Sequence, residues 1–466
     1  MPLNTSMLLV HADWVLTMNP QRQILKDGAI AIEGDRIVAV GPTLEIEKRY
    51  SSPEVRSLAG KVVLPGLIDS HIHTAFHLSR GLADEAGSQK FLFERMYPYE
   101  GQLDEEESYW TAALCALEEL RHGVTCMIDP GNYHPKETVD ALGQAGVRAI
   151  VAKSAMDIAK SPYGSLPETF NETTEEALSR SEHVIEQFHQ SHGGRIRASL
   201  SFRGVNNASD ELIKRMKAMA DHYGIGFQAH ACFAKETRDS STGAHGMTEV
   251  ERLDSLGVLD ENLLLIHMGW ATPKELLLLR DHEVKVVAAA SSSFHNGYGN
   301  VTMGKIPELL EMGVSVGLGT DHASSGIVDL VQEMLLVGCG YKETRIDAEI
   351  MSPETVVEMV TTHGARCAWW EDEIGSLEAG KKADITVLDT NRPEWQPLYN
   401  PVANLVYSAT GTSVETVLVD GKVIVDGGKV LTLDQEDIFT QVRKVMPSIL
   451  EKSALAGKVS PKWPIR

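Results

Sequence analysis

The chain has 466 residues, 43% of them hydrophobic, enough for one large domain with an ample core and a smaller one beside it, and too apolar for disorder to be expected. Acidic residues outnumber basic ones 65 to 43, a net charge of −22, and a surface that negative repels a phosphate backbone, which argues against nucleic acid as a partner. No apolar run approaches the roughly 20 residues that span a bilayer, which argues against a membrane as well.

The opening MPLNTSMLLVHADW carries neither a basic n-region nor a long apolar h-region, so a cytoplasmic protein without a signal peptide is expected. The five cysteines (115, 126, 232, 339 and 367) are odd in number, far apart and without a CxxC pair. They are expected to be buried free thiols in a reducing compartment.

Residues 1–62 read as short strands broken by turns, with Gly34-Asp35 as a hairpin signal inside GAIAIEGDRIVAVG. The same texture returns over 376–466 in ADITVLD, ETVLVDGKVIVDGG and KVLTLD, with Asp420-Gly421 as a second turn signal. Neither end has enough apolar surface to stand alone, so the two are expected to pair into one small β-sandwich. NRPEWQPLYNP at 391–401 reads as a loop within it.

Residues 63–375 change to strand–helix alternation, the pattern of βαβ units and a parallel sheet. Eight apolar strand candidates lie near 66–71, 123–129, 146–154, 195–202, 224–230, 262–267, 284–290 and 314–321. Helical patterns such as SYWTAALCALEELRHG, DELIKRMKAMADHYG and GKIPELLEMG fall between them, the last two ending on Gly. Eight units are the count of an α/β (β/α)8 TIM barrel. A doubly wound sheet would need a Gly-rich phosphate loop after its first strand, and SHIHTAFHLSRG is not one.

In a barrel, catalytic residues sit at the C-terminal ends of strands. His71, His73, His230, His267 and Asp321 all fall there. His71 and His73 leave their strand on one face, so two imidazoles can share a metal ion. The spacing alone is weak, since chance gives about 0.6 such pairs in this composition. His230 and Asp321 can complete an open site with a position for water. Asp321 can also take a proton from that water, whose pKa a metal lowers toward about 7. For His267, hydrogen bonding to the attacking water and the developing oxyanion is expected rather than ligation. His295 and His322, also near strand ends, are expected to contact substrate or support the ligands, with Arg203 and Glu236 as further substrate-binding candidates. His77 is placed on the following loop or helical turn, outside the ligand set.

PGLIDSHIHT, RGLAD (80–84), LEELRHGVT (117–125), GVLDENLLLIH, GKIPELLEMGVSVGLGTD and GSLEAGKKADITVLD together resemble the amidohydrolase superfamily, and within it the cytosine-deaminase and triazine-hydrolase (chlorohydrolase-like) branch. The resemblance runs through nearly the whole chain. It implies a barrel with a split β-sandwich and one divalent metal per chain, zinc first, with iron or cobalt as alternatives. By position it implies ligation by His71, His73, His230 and Asp321 and a catalytic role for His267. The expected partner is a small-molecule substrate, in a homo-oligomeric assembly.

The sequence departs from that branch at two places. The fifth-strand His is there followed three residues later by a Glu that shuttles a proton to the substrate ring, and here Phe233 stands at that place, within HACFAKE. AAASSSFHNGYG replaces the usual Pro-x-Ser-Asn pattern after strand seven. The implied reaction is hydrolysis of a carbon–nitrogen bond of an aminated nitrogen heterocycle, by deamination or dealkylamination. The missing acid opens a second expectation, an amide, urea or thiocarbamate hydrolase on the same scaffold. A metal-binding barrel without turnover is the third.

Overall fold

A computed structural model describes residues 2–459 and 461–464. Both ends of the chain contribute to one nine-stranded sheet. Lys61–Pro65 is its seam, pairing antiparallel with Ile385–Asp389 and parallel with Met7–Leu16. The two turn signals are hairpins: Ile24–Glu33 with Arg36–Pro42, and Val414–Val419 with Lys422–Asp426. Asp420 and Gly421 take φ values of 48° and 71°, the left-handed pair that a tight two-residue turn needs. The 391–401 loop holds one short helical turn, Pro393–Trp395.

The central stretch forms two parallel sheets. Leu67–Asp69, Val124–Ile128, Arg148–Val151 and Ile196–Ala198 pair in that order. Ser154–Ala155, Leu200–Gly204, Phe227–Ala231, Leu263–His267, Lys285–Ala288 and Val316–Leu318 pair in that order. The third and fourth sequence-predicted strands are therefore each broken into two, and Ser199 N–H donating to the Val151 carbonyl carries the pairing across the break. The first and last strands also meet. Ser70 N–H donates to the Leu318 carbonyl at 2.9 Å, and Asp321 N–H to the His71 carbonyl at 2.9 Å.

Helices cover the outside. Glu105–Arg121 starts on a reciprocal cap between Asp104 and Glu107, which satisfies backbone donors at its first turn. Asp210–Tyr223 ends on left-handed Gly224. The helix Gln435–Lys452 follows the last strand and packs on Glu105–Arg121, where Lys452 Nζ reaches Asp104 at 2.8 Å and Glu107 at 3.0 Å. Arg148 joins the two regions. Its buried guanidinium bonds Asp384 and Asp420 of the terminal sheet at 2.6–3.0 Å, a pairing whose loss of one partner leaves an uncompensated buried charge.

The thiol expectation needs one correction. All five cysteines are free, but Cys339 is exposed, because its helix Leu330–Arg345 turns that position outward.

Candidate active site

The five titratable residues singled out above converge at one end of the parallel strands. His73 Nε2 and His230 Nε2 are 3.2 Å apart, His71 Nε2 lies 3.2 Å from Asp321 Oδ1, and His73 Nε2 lies 3.6 Å from the same oxygen. The donor atoms of His71, His73 and His230 all lie within 4.8 Å of one another, as do those of His71, His267 and Asp321, so two overlapping groups here could hold a divalent metal such as zinc. His267 Nε2 lies 3.9 Å from Asp321 Oδ2.

Charge states favour ligation. Burial and then the neighbouring His71 hold the His73 and His230 imidazoles well below the usual histidine range, so both present neutral nitrogens. Burial would raise the Asp321 carboxyl, but His322, His71 and His267 outweigh it and hold it far down, as a carboxylate. Burial pushes His267 to about 3, leaving a neutral imidazole.

The backbone is fitted to the task. His267 and Asp321 have φ of 81° and 66°, conformations an L residue rarely adopts unless its surroundings impose them. Gly319 explains how the last strand comes so close, since a Cβ there would sit 2.7 Å from the His71 carbonyl oxygen. Asp69 ties the two ligand-bearing segments together. Its carboxylate accepts the His71 N–H at 3.0 Å and the Thr320 hydroxyl at 2.6 Å, one residue before Asp321. Asp129, ending GVTCMID, holds Thr74 just past His73 and accepts the Gly131 N–H at 2.7 Å. Sequence reading missed both aspartates, though each closes a strand motif it had marked. The His230 Nδ1 is oriented by the Arg203 carbonyl, the kind of outer partner that fixes a ligating ring.

His73, His230, His267 and Asp321 line the floor of a cavity of about 600 Å³, its open mouth included, and His71 is buried beneath them. Phe76, Phe91, Tyr97, Tyr163, Phe233 and Tyr298 supply its aromatic walls. Phe233, where the resemblance leads one to look for an acid, packs 5.6 Å from the His267 ring and 5.4 Å from that of Tyr298. Of the further candidates, His322 and Arg203 line the cavity. His322 stacks on Phe91 at 4.7 Å and sits 3.5 Å from Asp321 Oδ2. Arg203 pairs with buried Glu100 at 2.6 Å and keeps Nη2 without a partner. The other two lie outside the wall. His295 pairs with Asp84 at 3.2 Å from the exposed side of the largely buried helix Ala290–Asn296, and exposed Glu236 lies in the first turn of the helix Lys235–His245 and accepts from Ser88 at 3.2 Å. His77, in the 3-10 turn Thr74–Ser79, bonds Glu118 at 2.9 Å, away from the donors.

Comparison with known proteins adds the lineage. Residues 62–424 match the Amidohydrolase family, and residues 28–50 match an imidazolonepropionase-like composite domain of bacteria. The chain is 32% identical to a 5-methylthioadenosine/S-adenosylhomocysteine deaminase of Moorella thermoacetica, over 91% of this chain and 95% of that one. It is 30% identical to a 5'-deoxyadenosine deaminase of Methanopyrus kandleri over the same shares. Its fold superimposes on an adenosine deaminase of Xanthomonas campestris with bound zinc at a TM-score of 0.90 and 25% identity, covering 97% and 100% of the two chains. An atrazine chlorohydrolase of Arthrobacter aurescens complexed with zinc gives a TM-score of 0.87 at 24% identity, covering 95% and 100%.

Proposed function

The chain belongs to the amidohydrolase family and is a hydrolase acting on carbon–nitrogen bonds, and we propose that its substrate is an amide, urea or thiocarbamate carrying an aromatic or similarly apolar group. We read the parallel strands as one closed (β/α)8 barrel over 63–375. The two terminal stretches, 1–62 and 376–466, are read as the β-sandwich. The hydrogen bonds from Ser70 and Asp321 to the first and last strands, and the seam at Lys61–Pro65, support that reading.

His71, His73, His230 and Asp321 would hold the divalent ion. When bound, such an ion polarises the reacting oxygen and makes a water acidic enough to attack at neutral pH. Asp321 takes the water's proton. Neutral His267 hydrogen-bonds the oxygen on which negative charge develops. The aromatic walls exclude bulk water and offer faces to an apolar substituent.

The observation that carries the substrate class is Phe233. A ring deaminase of this branch sets its ring-protonating carboxyl three residues after the fifth-strand His, and Phe233 presents an apolar ring there, while Glu249, the other carboxyl in the wall besides Asp321, is held through Oε2 by the Cys232 N–H and the Thr237 hydroxyl. Glu236, the next carboxylate along the chain, lies outside the cavity wall. Deamination of an aminated heterocycle is the second reading, favoured by the names of the deaminases to which the chain is 30–32% identical. Protein reconstituted with zinc should hold about one ion per chain. It should hydrolyse acetanilide, an N-aryl urea or a thiocarbamate at a kcat/KM at least about tenfold above that for 5'-deoxyadenosine or an aminotriazine. The reverse order establishes the deaminase, and metal binding with no turnover of any probe establishes the inactive barrel.

A further inference from the structure

One carboxyl in the cavity remains without a role. Glu249 opens the helix Glu249–Ser255 and is 1% exposed, yet it lines the cavity. Among the described residues, it and Asp321 are the only carboxyls in that wall. Its Oε2 accepts the Cys232 N–H at 2.8 Å and the Thr237 hydroxyl at 3.0 Å. Cys232 immediately precedes Phe233, so the carboxyl is tethered to the backbone beside the ring that occupies the acid's place. Oε1 has one longer contact, 3.3 Å from Asn206 Nδ2, and is the oxygen left to carry a proton.

The geometry points to Glu249 as the acid that protonates the departing nitrogen, a role that rests on the carbonyl-type reading of this site. Burial is the main influence on the group, and with the Glu275 carboxylate behind it outweighs the donors from Cys232 and Thr237, pushing it to about 7. Glu275, Cys232 and Tyr163 are the titratable neighbours it shares the site with. A carboxyl there is protonated often enough to give a proton and ionised often enough to recover it, as general acid catalysis at neutral pH requires.

The step balances without a co-reactant. Water adds to the substrate carbon and one of its protons passes to Asp321. The C–N bond breaks, and the nitrogen leaves with the bonding pair and the proton of Glu249. The proton on Asp321 goes to solvent as Glu249 regains one, so each turnover consumes one water.

A good leaving group needs no acid, and that separates catalysis from scaffolding. The probes are N,N-dimethyl-N'-phenylurea, which releases aniline, and its 4-nitrophenyl counterpart, which releases the far less basic 4-nitroaniline. Glu249→Gln should slow the first by about 10²-fold or more and the second by less than about tenfold, with metal content and melting temperature near wild type. Equal slowing of both overturns the proposal, as a packing defect would produce. Should Glu249→Gln fail to fold, the wild-type pH profiles decide. The phenylurea rate should fall as pH rises through about 7 while the nitrophenylurea rate holds, and parallel profiles overturn the proposal. If wild type hydrolyses neither these ureas nor acetanilide nor a thiocarbamate, the carbonyl reading fails, and the role of Glu249 fails with it.

Discussion

His71, His73, His230, His267 and Asp321 hang from the ends of paired strands, while Phe76, Phe91, Tyr97, Tyr163 and Tyr298 come from the segments between them. The first group is held by the sheet ladder, by Asp69 and by backbone conformations that the surrounding structure imposes. The second is held by ring-on-ring packing, such as Phe91 on His322 and Phe233 against Tyr298. A ladder fixes positions closely enough to share one ion, whereas packed rings tolerate substitution. The floor of the cavity sets the type of reaction and its walls select the substrate.

The sharpest way to break this comparison is at the floor. His73→Ala removes a nitrogen that meets both His230 and Asp321. It should weaken metal retention by roughly 10³-fold or more and abolish turnover with it. Metal analysis after dialysis checks this, and a full equivalent retained with normal activity would show that the donors are misassigned.

His267→Ala should divide the floor into ligands and a non-ligand. At 3.9 Å from the Asp321 carboxylate and unshared with the His73–His230 pair, His267 should be dispensable for the metal. Its loss should still cost about 10²-fold in kcat, because its hydrogen bond is made to charge that develops in the transition state. Loss of metal in parallel with activity would move His267 into the ligand set.

The same division explains what the sequence made legible. Strand ends could be found because apolar runs stop where the metal-competent residues begin, as in NLLLIH and VSVGLGTD. The convergence of these five residues, and the parallel order of their strands, were readable in this way. The walls were not, because Phe91, Tyr163 and Tyr298 are far apart in the chain and carry no periodicity. Glu249 is hidden for a similar reason. It lies 19 residues beyond His230 on a separate helix, and only the fold returns it to the backbone of Cys232. His295 is a case of the same kind: its helix Ala290–Asn296 is largely buried, but His295 is on its exposed side, paired with Asp84 and not in the wall.

Glu236 gives the smallest expected effect and tests the wall most narrowly. It is the first carboxylate after Phe233, and by sequence alone it competes for the vacant acid role. In the structure it is exposed at the first turn of Lys235–His245, where its negative charge suits the helix N-terminus and its Oε2 accepts from Ser88 at 3.2 Å. Reaching the donors would require unwinding that turn past Thr237, whose hydroxyl is itself committed to Glu249 and the Ala234 carbonyl. Glu236→Gln keeps the shape and the bond to Ser88, and should change kcat by less than about tenfold on either aryl urea. A loss of roughly 10²-fold or more, greater for the aniline-releasing probe, would move the acid from Glu249 to Glu236. The loop after the fifth barrel strand would then close over the substrate in a geometry other than this one.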